Sequence, residues 1–149
     1  MNPNATASTA MHATSVRDVM HPGIVACGPS ASIAQVAHVM AEHRVHCVAV
    51  VGGADNDQEN PVIRGIISDL DLLKWATGPD VHATAGAVAR DLIAYVAPDT
   101  PVHEAAETMV DQETQHVVVA QSRQHTPLGI LSALDIAAVL AAAGHSPVR

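Results

Sequence analysis

Apolar residues recur along this chain in two alternating patterns. Ile33, Val36, Ala37 and Met40 fall at i, i+3, i+4 and i+7, the single buried stripe of an amphipathic helix. A β-branched run from Val45 to Val51 follows, and its length and composition predict a strand. A polar, acidic loop from Gly52 to Asn60 leads to a second apolar run, Pro61 to Ile67, so the two strands predict a hairpin. A further helix is predicted from Asp69 to about Thr77. The same succession returns downstream. The stripe is then Val102, Ala105, Ala106 and Met109, the strands are Val117 to Ala120 and Pro127 to Leu131, and the closing helix runs from Ala133 to about Ala143. Both long helices carry start signals: Ser32 with Gln35 three residues on forms a capping box, and Thr100 precedes Pro101 at an expected first helical position.

The chain is therefore an internal duplication of a β-α-β-β-α unit, an α/β fold of the α+β kind. From Pro29/Pro98 to Met40/Met109 the offset between copies is 69 residues, and it falls to 64 across the long first loop. The opening Arg17-Asp18-Val19-Met20 is matched by identity with Arg90-Asp91-Leu92-Ile93, which leaves the segment before Pro98 four residues shorter than the one before Pro29. Residues 1–13 lack apolar periodicity and are expected to form a flexible leader. The first unit is placed at residues 14–80, the second at 81–143 and a tail at 144–149.

With one Trp, one Tyr and no Phe, the core must be built from small and β-branched side chains. The net charge is −8 and Lys74 is the only lysine, so no basic face exists to displace counterions from a nucleic acid. The start, Met1-Asn2-Pro3-Asn4, lacks a signal-peptide pattern, and the apolar run from Ile136 to Ala143 is too short to span a bilayer. A cytoplasmic location is expected, with no membrane and no nucleic-acid partner. Cys27 and Cys47 form neither a disulfide framework nor a zinc pattern and read as reduced, largely buried thiols.

At the end of each hairpin the copies share a corner, Gly65-Ile66-Ile67-Ser68-Asp69-Leu70-Asp71 and Gly129-Ile130-Leu131-Ser132-Ala133-Leu134-Asp135. A strand runs into a helix N-terminus, with a hydroxyl at the cap and a carboxylate one turn later. Free backbone N–H groups and the positive dipole end suit an anion, and the carboxylate can accept from a diol, so a ribose phosphate matches. The plainer reading is that Ser68 and Ser132 are N-caps and that Asp71 and Asp135 complement the helix dipole. Both readings fit the residues.

The corner repeats in register within a duplicated unit, and the chain from about residue 14 to 141 resembles a CBS (cystathionine-β-synthase-type) domain pair. The resemblance is carried by Val16-Arg17-Asp18-Val19-Met20, the helix ending at Met40, the valine-rich strand and the Gly-x-x-Ser-x-x-Asp ending of both halves. Ala83-Thr84-Ala85-Gly86, leading into Ala89-Arg90-Asp91 and Tyr95-Val96, is similar to actinobacterial stand-alone CBS pairs of the hypoxic, stress-response type. The resemblance implies two motifs packed about a pseudo-twofold axis with two clefts between them. The ligands it implies are AMP, ADP, ATP, S-adenosylmethionine or a dinucleotide. Asp71 and Asp135 would accept the ribose hydroxyls, with Ser68 and Ser132 by the ribose or α-phosphate. The backbones of Val25, Ala26 and Cys27 in one motif, and of Tyr95, Val96 and Ala97 in the other, would meet the adenine edge. It further implies a homodimer that signals to an unknown partner protein, with no cofactor required.

Some residues depart from the family pattern or point elsewhere. Ala49 and Val118 stand where the family often has proline, and few Lys or Arg lie near either corner, which weighs against a triphosphate. His38, Glu42, His43 and His46 cluster around the end of the first long helix, and a zinc site can be drawn from them. No two-cysteine or His-Glu-x-x-His pattern supports it, so solvated and capping histidines are expected, with Arg44 and His46 as alternative phosphate partners. Ser68 and Asp71 lie within one turn but no histidine is marked as their partner, so no catalytic residue is assigned. The rivals to ligand sensing are an adaptor with empty clefts and a histidine-based metal-responsive protein. Of the two corners, the one on Asp135 is expected to bind a phosphorylated adenosine better, because Asp69 in the other would repel the phosphate where Ala133 does not.

Overall fold

The structure is a computed structural model that describes residues 2–52, 62–91, 93–122 and 126–144. The loop expected at 52–60 falls, beyond Gly52, outside the described residues, as does the tail beyond Gly144. In chain order the elements are α1 (Pro3–Ala13), α2 (Val16–Val19), β1 (His21–Pro22), β2 (Ala26–Cys27), α3 (Ile33–His43), β3 (Cys47–Val51), β4 (Ile63–Ser68) and α4 (Asp69–Ala76). They continue with α5 (Ala85–Val88), β5 (Tyr95–Val96), α6 (Val102–Asp111), β6 (His116–Val119), β7 (Gly129–Ser132) and α7 (Ala133–Gly144). Helices and strands are mixed in an α+β architecture, and the β-α-β-β-α succession occurs twice.

The chain divides into two compact units, Ile24–Ile93 and the combination of Met1–Gly23 with Ala94–Arg149. In the first, the sheet order is β2-β3-β4, with β2 parallel and β4 antiparallel to β3. Arg90 bridges to Ile66 on the free side of β4. Its core joins Val36 and Met40 of α3 to Val48, Val50, Ile67 and Ala85. In the second, the order is β1-β7-β6-β5, and Val102, Ala105 and Met109 of α6 meet Val117, Val119, Leu131 and Ile136. The alternating strand pattern explains the choice: in β4, Ile63, Gly65 and Ile67 are buried and Arg64 is exposed.

Each compact unit thus contains the opening segment of the other sequence repeat. The backbone N–H groups of Val16 and Arg17 donate to the carbonyls of Thr100 and Pro98 at 2.9 Å, and those of Ala85 and Gly86 donate to Ala31 and Pro29 at 2.8 Å. These bonds are equivalent one for one at a spacing of 69 residues, as are α2 with α5 and β2 with β5. The matching of Arg17 with Arg90 is therefore corrected. Arg17 corresponds to Gly86, Arg90 corresponds to His21, and the segment before Pro98 is not shortened. The identity match failed because the second copy has glycine where the first has arginine: a Cβ at Gly86 would lie 3.0 Å from Pro29 Cβ and 3.1 Å from its carbonyl oxygen.

Residues 3–13, expected as a flexible leader, form α1. Asn2 caps it, accepting from Asn4 N–H at 2.9 Å, and Pro3 opens it. Its apolar residues are four small alanines and Met11, which form no marked stripe at helical spacing, so no hydrophobic periodicity announced it. Met11 is buried, and the helix lies along α7 and touches α6. Two smaller expectations also change. Pro101 is the N-cap of α6, which starts at Val102. Of the two stripes, Ile33, Val36, Met40, Val102, Ala105 and Met109 are buried, Ala106 is half-buried and Ala37 is exposed. α6 has α1 beside it as added cover on that edge.

Gly129 is where β1 crosses β7 most closely, and a Cβ there would run into the His21 carbonyl oxygen. Gly129→Ala is expected to push β1 off β7 and lower stability by about 1–3 kcal/mol, read as an earlier denaturant midpoint.

Candidate functional site

The two strand-to-helix corners are built from the same bonds. Ser68 ends β4 and caps α4: its Oγ accepts from Asp71 N–H at 3.2 Å, while its own N–H and hydroxyl donate to Asp71 Oδ2 at 2.9 and 3.0 Å. Ser132 ends β7 in the same way, with 3.2, 2.8 and 3.0 Å for the bonds to Asp135. Each carboxylate therefore commits Oδ2 to the cap, and the capping reading of these residues holds. The second oxygen is engaged differently in the two copies. Arg90 Nε donates to Asp71 Oδ1 at 3.2 Å, and His21 Nε2 lies 3.1 Å from Asp135 Oδ1. The carboxylate side chains are 8% and 11% exposed, so each has limited access to water.

Arg90 and His21 were not among the expected site residues. The repeat itself marks them: counted back from Pro98 and Pro29 at a constant 69, they fall at one position, beside Ile66 and Ile130 respectively.

The expected adenine-facing segments lie on the outer strands. Val25 carbonyl accepts from Ala49 N–H at 2.9 Å, and Ala26 and Cys27 pair with Ala49 and Val50. β3 separates this strand from β4, but the start of β2 and the end of β4 lie at the same end of the sheet. In the other unit Tyr95 and Val96 pair with Val118 and Val119 on β6, and Val96 carbonyl accepts from Ala120 N–H at 3.0 Å. At a spacing of 69, Val25, Ala26 and Cys27 correspond to Ala94, Tyr95 and Val96, so Tyr95, Val96 and Ala97 are set one residue further along.

The histidines of the first long helix do not converge. His38 Nε2 lies 3.7 Å from Glu42 Oε2, and His46 Nδ1 donates to Asp69 Oδ2 at 2.9 Å. Arg44 takes a left-handed C-cap conformation with φ of 54°. Among the described residues no three His, Cys, Asp or Glu side chains gather to hold a metal.

Burial pushes the Cys47 thiol up to about 12, helped by the nearby Asp69 carboxylate, and burial also raises the Cys27 thiol. Both are thus protonated and unreactive near neutrality. The unfolded chain loses the Cys47 proton at its ordinary value of 9.0 while the folded chain keeps it. Stability should therefore fall as pH rises from 9.0 towards about 12, and Cys47→Ala should flatten that part of the curve in denaturation at several pH values.

Two copies of one unit, each ending in a reciprocal Ser–Asp cap at a strand-to-helix corner, make the chain a tandem-repeat module. The chain belongs to the CBS domain family, whose profile matches residues 16–78 and 85–142. CBS domains are typically regulatory, non-catalytic modules. Among its relatives is hypoxic response protein 1 of Mycobacterium tuberculosis (strain ATCC 25618 / H37Rv), 31% identical over 127 residues, which are 83% of each chain. A solved structure of Hypoxic Response Protein I, with two coordinated zinc ions, matches with a TM-score of 0.65 at 29% identity, over 84% of this chain and 98% of that one. The CBS domain protein PAE2072 of Pyrobaculum aerophilum, complexed with AMP, matches with a TM-score of 0.67 at 29% identity, over 87% and 100%. No helix among the described residues is long and apolar enough to cross a membrane.

Proposed function

We propose that the chain is a non-catalytic sensing module of the cytosol that takes an adenosine-containing ligand at its Ser–Asp corners and passes occupancy to a partner protein. The observation that carries this reading is the state of each carboxylate. One oxygen is fixed by the cap, and the other, Oδ1, is held by a side chain that is itself 48% exposed for Arg90 and 76% for His21, and so able to leave. A ribose diol donates two hydrogen bonds and can take that place. AMP, bound by the PAE2072 relative, supports the choice of ligand. A thermal-shift panel of AMP, ADP, ATP and S-adenosylmethionine, with and without chelator, tests it. A melting temperature raised by one of them and insensitive to chelator is the expected result. No response to any nucleotide would favour an adaptor, and a chelator-dependent melt a metal-responsive protein.

The module is further proposed to work as a homodimer. Leu73 on α4 and Leu134 on α7 are 63% and 66% exposed, and Leu70, Val110 and Leu140 add to the apolar helix faces. Light scattering should give twice the chain mass of 15.4 kDa. Leu73→Glu combined with Leu134→Glu should return the mass to that of one chain, and a monomer for the unaltered protein would count against the proposal.

A further inference from the structure

Positions 21 and 90 are equivalent in the repeat and do the same thing with different chemistry. Arg90 is tied to Ile66 through both its N–H and its carbonyl, at 2.9 and 3.0 Å, and its side chain reaches Asp71 Oδ1. His21 pairs with Ile130 on β7, and its ring reaches Asp135 Oδ1. In both cases the backbone is fastened to the sheet and only the side chain can swing. We infer that these two residues decide which corner takes the ligand and under what conditions: Arg90 holds Asp71 closed across the working pH range, while His21 holds Asp135 firmly only in its protonated form. The inference rests on the reading of the two aspartates as acceptors for a ribose diol.

The diol and the tethering side chain compete for a single oxygen. Oδ2 of each aspartate already accepts from the serine N–H and hydroxyl, so an entering diol needs Oδ1 and must displace what is there. Arginine is charged at all working pH values, and it gives up a charge-assisted bond to an almost buried carboxylate. Histidine in its protonated form makes a comparable bond, but in its neutral form the bond is weaker and the side chain, 76% exposed, turns to water at little cost. Among the described residues, the ion pair of the His21 ring is the one with Asp135. β7 carries Gly129, Ile130, Leu131 and Ser132, and α7 brings Asp135. On α2, Arg17 is paired with Asp99 at 3.1 Å and Asp18 is exposed. Ligand entry at Asp135 is therefore coupled to loss of a proton from His21, whereas no proton is released at Asp71.

Adenosine is the suitable probe because it has the diol and no phosphate for the imidazolium to attract. Calorimetric titration of the full chain at about pH 8 and about pH 5.5, spanning the range in which imidazoles titrate, should show one site. Its affinity should fall on acidification, by up to about tenfold for each pH unit in the limiting region, and the heat should change between buffers as a proton is released. His21→Gln should bind with an affinity that no longer depends on pH. His21→Arg should weaken binding at least about tenfold at the higher pH, as one charge-assisted bond now has to be broken. Arg90→His should add a second, pH-dependent site. Adenosine affinity unchanged by pH in the unaltered protein, or unchanged by His21→Arg, would overturn the inference while leaving the nucleoside reading in place. Absence of binding by adenosine and AMP alike, in every variant at both pH values, would overturn both together.

Discussion

Leu131→Ala is expected to lower the stability of the protein by about 2–5 kcal/mol, a large part of the roughly 5–15 kcal/mol available to a domain of this kind. Leu131 is fully buried on β7, where it packs with Val117, Val119 and Ile136 in a core that has no phenylalanine to bridge a gap. Val and Ala neighbours have few rotamers with which to refill the space, so the cavity persists and adds to the lost transfer energy. Leu134 on the next helix turn is 66% exposed and gives the contrast. Leu134→Ala should leave the unfolding energy per chain almost unchanged and act on dimerisation instead. Urea denaturation of both variants checks the pair, and equal losses would mean that α7 turns Leu134 into the core rather than away from it.

Asp135→Ala is expected to have two separable effects. Loss of the acceptor for the Ser132 N–H and hydroxyl removes a cap and should lower stability by about 0.5–2 kcal/mol without ligand. The same change removes the oxygen that the ribose diol would use. With hydrogen bonds to a charged group contributing about 1.5–3 kcal/mol each, AMP affinity should fall by about 100-fold. The cap effect should be matched by Asp71→Ala in the other unit, because the bonds of the two boxes agree closely in length. The affinity effect should not be matched, since Arg90 holds Asp71 and Asp69 adds a carboxylate at the first helical position. Melting curves without ligand and calorimetry with AMP separate the two.

The elements legible in the sequence are those written in local signals. The capping box at Ser32 and Gln35 forms with bonds of 2.8 and 3.1 Å, and the closing helices begin at Asp69 and Ala133 as expected. The hairpins were readable because Val, Ile and Leu runs of strand length stand between polar breaks. The Ser68 and Ser132 caps followed from a hydroxyl ahead of a helix start, whereas Asp71 and Asp135, expected to complement the helix dipole, also bond back to the serine N–H and hydroxyl. What was not legible depends on partners far away in sequence. α1 is held by packing of alanines and Met11 on α7, and its own sequence has no stripe. The exchange of opening segments is carried by backbone bonds such as Arg17 N–H to Pro98 carbonyl, which any residue can make. His21 and Arg90 share no chemistry, so identity could not align them, although a strict count of 69 residues does.

Whether an adenosine ligand occupies a Ser–Asp corner is decided by titrating AMP against Asp71→Ala, Asp135→Ala and the double variant. Binding by the unaltered protein is expected, with little change in Asp71→Ala and about 100-fold weaker binding in Asp135→Ala and in the double variant. AMP bound by the double variant as tightly as by the unaltered protein would contradict this, because the ligand would then be held by something other than the carboxylates at the two corners.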